Sequence, residues 1–268
     1  MTNDELLKVY SYNKTNMRNT LLELNGLKET ISQINEAEIP SNYEYRTEIG
    51  YPFKRKNLNE VIKRKFVNKN NRIAPEHAQK FYLYEYSIIH KKKLKEFGYV
   101  IGYELPFFKK RGSGAIDLIS YDADNNILNL IELKNCAMGD KKDSNESILR
   151  AILEIETYTK FVKEIIKKEN GCDRLYKDII KELKKLYDLD ISLEKIKQAK
   201  IQKNILIPES IYDKSKKNTK ESVYFSEIPK DISIWFIKTA DTNFDTNRVI
   251  KETANNDKIE FEIWKCNK

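Results

Sequence analysis

Histidine and cysteine are scarce in this chain. Two histidines and three cysteines stand in 268 residues, and neither set has the spacing of a ligand cluster. His77 and His90 stand too far apart in sequence to mark a metal cluster. Cys136, Cys172 and Cys266 are odd in number and read as reduced thiols of a cytoplasmic protein. No histidine is placed to activate Cys136, so nucleophilic thiol chemistry is not expected. Long apolar runs are also missing, and Asp4 and Glu5 stand where a secretory signal would need an apolar stretch. Export and membrane insertion are therefore not expected. There is no internal repeat and no low-complexity segment.

What is present is concentrated in one segment, GSGAIDLISYDADNNILNLIELKN. Ala115 to Tyr121 is apolar and β-branched, DADNN supplies turn residues, and Ile127 to Lys134 resumes the apolar run, which together spell a hairpin. If the hairpin folds symmetrically about Asp124 and Asn125, Asp117 lies opposite Glu132. Strand side chains alternate, so Glu132 and Lys134 share one face and Ile131 and Leu133 the other. Three charges thus converge at the far end of an otherwise greasy hairpin, unless a bulge shifts the register. The plain alternative is an ordinary hairpin carrying an exposed Glu132–Lys134 ion pair.

Two carboxylates about 4 Å apart repel by roughly 4 kcal/mol at an effective dielectric near 20. A core retains such a pair only with a shared proton or a bound cation. Carboxylate oxygens are hard ligands suited to Mg²⁺ or Mn²⁺, and no histidine or cysteine stands nearby to favour zinc. Lys134 adds a positive charge where a water or a phosphate would sit. These are the parts of metal-assisted phosphodiester hydrolysis.

Asp117 followed after a short turn by Glu132-Leu133-Lys134 resembles the core of the PD-(D/E)XK nuclease superfamily. Gly112 and Gly114 before the aspartate and the strand Tyr99 to Phe108 add to the likeness, which covers about Pro75 to Phe161. The resemblance implies that Asp117 and Glu132 bind Mg²⁺ (or Mn²⁺) together with the Leu133 carbonyl. It also implies that Lys134 positions the attacking water. A further acid on the preceding helix would hold a second metal or its waters. Glu85 is the preferred candidate, beside the apolar Ile88 and Ile89. Glu76 competes, although its place in a first helical turn suits a structural role. After the third strand, Arg150, Glu154 and Tyr158 recur at four-residue steps and form one polar stripe on an amphipathic helix. This is similar to the Gln-x-x-x-Tyr element of the RecB and lambda-exonuclease branch, with glutamate in place of glutamine. By that likeness Arg150 and Tyr158 are expected to contact nucleic acid.

Charge is abundant, with 34% Asp, Glu, Lys and Arg and a net charge of +8. Lysine outnumbers arginine and asparagine and isoleucine are plentiful, a bias also expected of an AT-rich genome, so the lysine count alone says little. Its distribution says more. Tyr45 to Arg72 holds nine basic residues against Glu48 and Glu60, or +7. Tyr45, Tyr51, Phe53 and Phe66 interleave with those bases, a pattern suited to phosphates and unstacked bases. Lys54, Arg55 and Lys56 are its densest part. A solvated connector whose aromatics pack on the main domain is the alternative. Lys109, Lys110 and Arg111 precede the glycines and would hold a phosphate backbone near the metal.

The expected organisation is an N-terminal helical and basic segment, residues 1–73, followed by a nuclease-like domain, residues 74–268. Asp4 to Asn35 looks helical with a break near Gly26. Helix, three strands and helix follow from Pro75 to Lys168. Helices are then expected over Asp173 to Tyr187 and Leu193 to Ala199, and strands at Ile205 to Ile207, Ile232 to Ile237 and Ile259 to Trp264. The expected fold class is α/β (α+β), with a restriction-endonuclease-like α-β-β-β-α-β core and a mixed central sheet flanked by helices. The expected partner is DNA, with RNA as the alternative and a homodimer left open. A non-catalytic nucleic-acid-binding module keeping this fold is the rival reading.

Overall fold

The computed structural model describes residues 26–37, 80, 83–84, 86–88, 91–94, 97–106, 115–134, 147–167, 169–239 and 261–266. Six strands form one mixed sheet whose spatial order follows the chain. They are β1 (Tyr99–Pro106), β2 (Ala115–Asp122), β3 (Ile127–Leu133), β4 (Lys200–Ile207), β5 (Ile232–Thr239) and β6 (Phe261–Lys265). The first three pair antiparallel, β3–β4 and β4–β5 pair parallel, and β6 returns antiparallel. Helices flank the sheet: α1 (Leu27–Glu36), α2 (Ile148–Lys167), α3 (Glu169–Tyr187), α4 (Leu193–Lys197), α5 (Glu209–Lys217) and the single turn α6 (Thr219–Ser222). Residues 80, 83–84 and 86–88 are also helical, at the positions where the sequence calls for the helix before β1. No described helix is long and apolar enough to cross a membrane.

The hairpin register follows from its turn. Asp122 Oδ1 accepts the backbone N–H of Asp124 at 3.0 Å and of Asn125 at 3.4 Å, closing an Asx turn. Asn126 then takes a left-handed φ of 53°, a conformation asparagine tolerates. Leu118–Ile131, Ile119–Leu130 and Tyr121–Leu128 pair as the symmetric fold requires. The bulge lies elsewhere, between Val100 and Gly102 in the β1–β2 ladder.

α2 carries the packing. Ile148, Leu149, Ile152, Leu153, Ile155, Phe161 and Val162 are all buried, because the helix is enclosed by the sheet, α1 and α3. Its start is set by Ser147, whose Oγ accepts the Arg150 N–H at 3.2 Å. α1 belongs to the N-terminal segment yet packs on α2, and its Lys28 N–H reaches Glu227 Oε2 at 2.8 Å. Gly98 precedes β1 with φ 76°, and a Cβ there would lie 2.3 Å from the Tyr121 carbonyl oxygen. That close approach lets the chain entering β1 lie against β2.

β4 starts at Lys200, five residues earlier than its apolar run suggests. Its polar residues find partners inside. Lys203 Nζ donates to Glu156 Oε1 on α2 at 2.6 Å, and Asn204 Nδ2 donates to Asn129 Oδ1 at 2.9 Å. Trp235 Nε1 completes this cross-strand set at Asn204 Oδ1, 3.0 Å away. Helix α5 is a further addition to the sequence reading, and α4 ends at Lys197, two residues before Ala199.

Candidate active site

Each acid sits in the middle of an apolar strand. Asp117 lies between Ile116 and Leu118, and Glu132 between Ile131 and Leu133, with all four neighbours fully buried. Alternation therefore directs both acids to the other face, and continuing the Leu118–Ile131 register by one step sets them side by side. That face is the one α2 covers: Lys134 and Glu154 meet there. Asp117, Glu132 and Lys134 are 4%, 2% and 3% exposed, so an exposed ion pair is ruled out.

Among the described residues, the site's charges meet largely in pairs. Asp117 Oδ2 accepts the Leu133 backbone N–H at 2.8 Å, and Oδ1 accepts Lys80 Nζ at 2.6 Å. Lys134 Nζ donates to Glu132 Oε1 at 2.7 Å and lies 2.6 Å from Glu154 Oε2. Arg150 Nε donates to the other Glu154 oxygen at 3.0 Å. Glu132 Oε2 and Glu154 Oε2 are buried and accept no hydrogen bond among the described residues, the second being held by its ion pair with Lys134 alone.

The electrostatics follow this arrangement. Burial, and then the charge of Asp117, holds the Glu132 carboxyl well above the usual carboxylate range, against the opposing pull of Lys134. Glu154 is also buried, but Lys134 and Arg150 outweigh that penalty and bring it to about 2. Burial first, and then Glu132 and Glu154, pushes the Tyr158 hydroxyl well above its ordinary value. Arg150, Glu154 and Tyr158 thus reach the site as one face of α2.

The sequence reading missed Lys80 and Glu104. Lys80 is 4% exposed and one helical turn before the buried Tyr84, so it keeps phase with an apolar stripe, which is the signal that marks it. Glu104 interrupts β1 as Asp117 and Glu132 interrupt theirs. Its partner could not be read, because the Val100–Gly102 bulge shifts the register by one. Tyr103–Leu118 and Leu105–Ile116 then place Glu104 opposite Asp117. The three acids form a row across β1, β2 and β3, and Lys80 Nζ lies 4.0 Å from Glu104 Oε1.

Glu85 and Glu76, the helix-acid candidates, lie outside the described residues, as do Lys54, Arg55, Lys56, Lys109, Lys110 and Arg111. Among the described residues no three His, Cys, Asp or Glu side chains gather as a ready metal cage. The pair Asp117 and Glu132 nonetheless suits a hard divalent ion. Glu132 Oε2, buried beside a second carboxylate and without a donor among the described residues, is satisfied by the proton that its raised pKa holds or by a cation that displaces that proton. No family model, curated protein or solved structure matches this chain.

Proposed function

We propose that the chain is a divalent-metal-dependent nuclease of the PD-(D/E)XK, restriction-endonuclease-like kind, hydrolysing phosphodiester bonds with DNA as its first substrate. The observation that carries this reading is the buried Glu132 carboxyl beside Asp117 and Lys134, whose Oε2 meets no donor among the described residues. Asp117 and Glu132 would hold Mg²⁺ or Mn²⁺, with the Leu133 carbonyl and a helix acid, Glu85 or Glu76, as further ligands by resemblance. The ion supplies an acidified water and neutralises charge on the phosphate.

The protein's own groups do the rest. Lys134 presents an ammonium within this pair of acids, where it orients a water and stabilises charge developing on phosphate oxygens. Glu154 is a second anchor for Lys134, so the lysine stays in place when Glu132 has another partner. Arg150 steadies Glu154 from its far side and keeps about a quarter of its side chain exposed, at 28%. Leu133 N–H fixes the rotamer of Asp117 through a charge-assisted hydrogen bond.

A second reading, a nucleic-acid-binding module without catalysis, draws on one observation: Asp117 and Glu132 each already have a lysine ammonium on one oxygen. Incubation with linear, nicked, circular and single-stranded DNA, and with RNA, in Mg²⁺, Mn²⁺ or EDTA separates the two. Cleavage that requires the metal supports the nuclease. Binding without cleavage under every condition leaves the module.

A further inference from the structure

Lys80 holds the most unexpected position in the site. Its side chain is 5% exposed and its ammonium lies 2.6 Å from Asp117 Oδ1, on the oxygen not taken by Leu133 N–H. A buried ammonium there does for Asp117 what a divalent ion would do, at half the charge. Glu104, opposite Asp117 on β1, has its Oε1 4.0 Å from the same ammonium. It reaches that place through two local irregularities, the β1 bulge and a left-handed backbone with φ 49°. A glutamate strand residue in that conformation is strained, and such strain persists where the surroundings impose it.

We propose that Lys80 is a built-in competitor for the cation position at Asp117, and that Glu104 is the acid that receives its ammonium when a divalent ion binds. The proposal rests on the metal-dependent reading above. One cation must leave Asp117 Oδ1 for another to bind it, since two cations at one buried oxygen repel. An acid already 4.0 Å away lets Lys80 withdraw without becoming a buried, unpaired charge. Lys80 and Glu104 therefore act as positioning residues that set ion affinity. Neither touches the reacting atoms.

Mn²⁺ binding, measured by calorimetry and by the spin-resonance signal of the free ion, tests this without any activity readout. Lys80→Met is expected to tighten Mn²⁺ binding by about tenfold, within the usual range of coupling between two competing occupants. Glu104→Gln, which removes the receiving acid, is expected to weaken it by a similar factor. In the Lys80→Met background, Glu104→Gln should have almost no effect, because Glu104 acts through Lys80. Unchanged or weaker binding in a folded Lys80→Met protein overturns the proposal. So does a Glu104→Gln loss that persists in the double variant, which makes Glu104 a direct ligand. If Lys80→Met does not fold, the lysine ¹⁵Nζ resonances of the intact protein report instead. Mg²⁺ should shift the Lys80 signal and speed its proton exchange, and an unmoved signal in Mg²⁺-loaded protein overturns the proposal. Failure of wild type and all variants to bind Mn²⁺ removes the metal reading itself, and is a distinct result.

Discussion

Glu154 reaches from α2 to set its Oε2 2.6 Å from Lys134 Nζ on the sheet, and Arg150 holds the other oxygen at 3.0 Å. The lysine is thereby fixed from the helix side and from β3 at once. Glu154→Gln keeps the shape but removes the charge that anchors Lys134. We expect kcat to fall about 10- to 100-fold with KM for DNA little changed, as for other supporting contacts around a reactive centre. Steady-state kinetics check the split. A rise in KM alone would make Glu154 a binding residue. A purely structural role would lower stability and leave kcat per folded molecule intact.

Glu132 and Glu154 share Lys134, yet their acidities move in opposite directions. Burial, and then the charge of Asp117, raises Glu132, whereas at Glu154 Lys134 and then Arg150 outweigh burial and lower it to about 2. A lowered folded-state value gives stability that is present above the unfolded value and lost as pH falls toward about 2. A raised value works the other way: ionising Glu132 weakens the fold as pH climbs from the ordinary carboxylate value through the raised one. Metal-free Glu132→Gln is therefore expected to melt above wild type at alkaline pH. Glu154→Gln should melt below wild type at neutral pH, by about 3 kcal/mol for one broken buried pair, with the gap closing in strong acid. Thermal melts across pH measure both. A Glu132→Gln protein less stable than wild type in the alkaline range would contradict the site's electrostatics.

Gly98 offers a control away from the chemistry. Its φ of 76° and the Tyr121 carbonyl oxygen, which an added Cβ would meet at 2.3 Å, leave no room for a methyl group. Gly98→Ala should destabilise the protein by about 3 kcal/mol, at the upper end of overpacking effects. Denaturant unfolding gives the value. A change below about 1 kcal/mol would mean that the chain entering β1 relaxes freely.

Much of this architecture was legible because local signals agreed. The DADNN turn, the alternation in Ile127 to Leu133 and the apolar core of α2 all specify the same hairpin and helix, and the turn fixed the register that brings Asp117 to Glu132. Where reading failed, long-range pairing was the cause. Lys203 and Asn204 make β4 look polar, and only their partners Glu156, Asn129 and Trp235 explain why the strand holds them inside. Glu104 depends on a bulge that no local pattern announces, and Lys80 on a helix phase that ends in a charge. Glu154 was visible as part of a stripe, but its grip on Lys134 needed the helix placed over the sheet.

Single-turnover cleavage by Lys134→Ala, compared with wild type at saturating DNA and Mg²⁺, tests the proposed chemistry most directly. Lys134 is expected to act on the transition state, so the rate should fall by about 10²- to 10³-fold, the scale of losing one preorganised donor. DNA affinity should stay within about threefold of wild type, which is under 1 kcal/mol. EDTA should abolish what remains. A Lys134→Ala protein that cleaves at the wild-type rate, or a metal-stripped wild type that cleaves undiminished in EDTA, would contradict the reading of Asp117, Glu132 and Lys134 as a metal-assisted nuclease site.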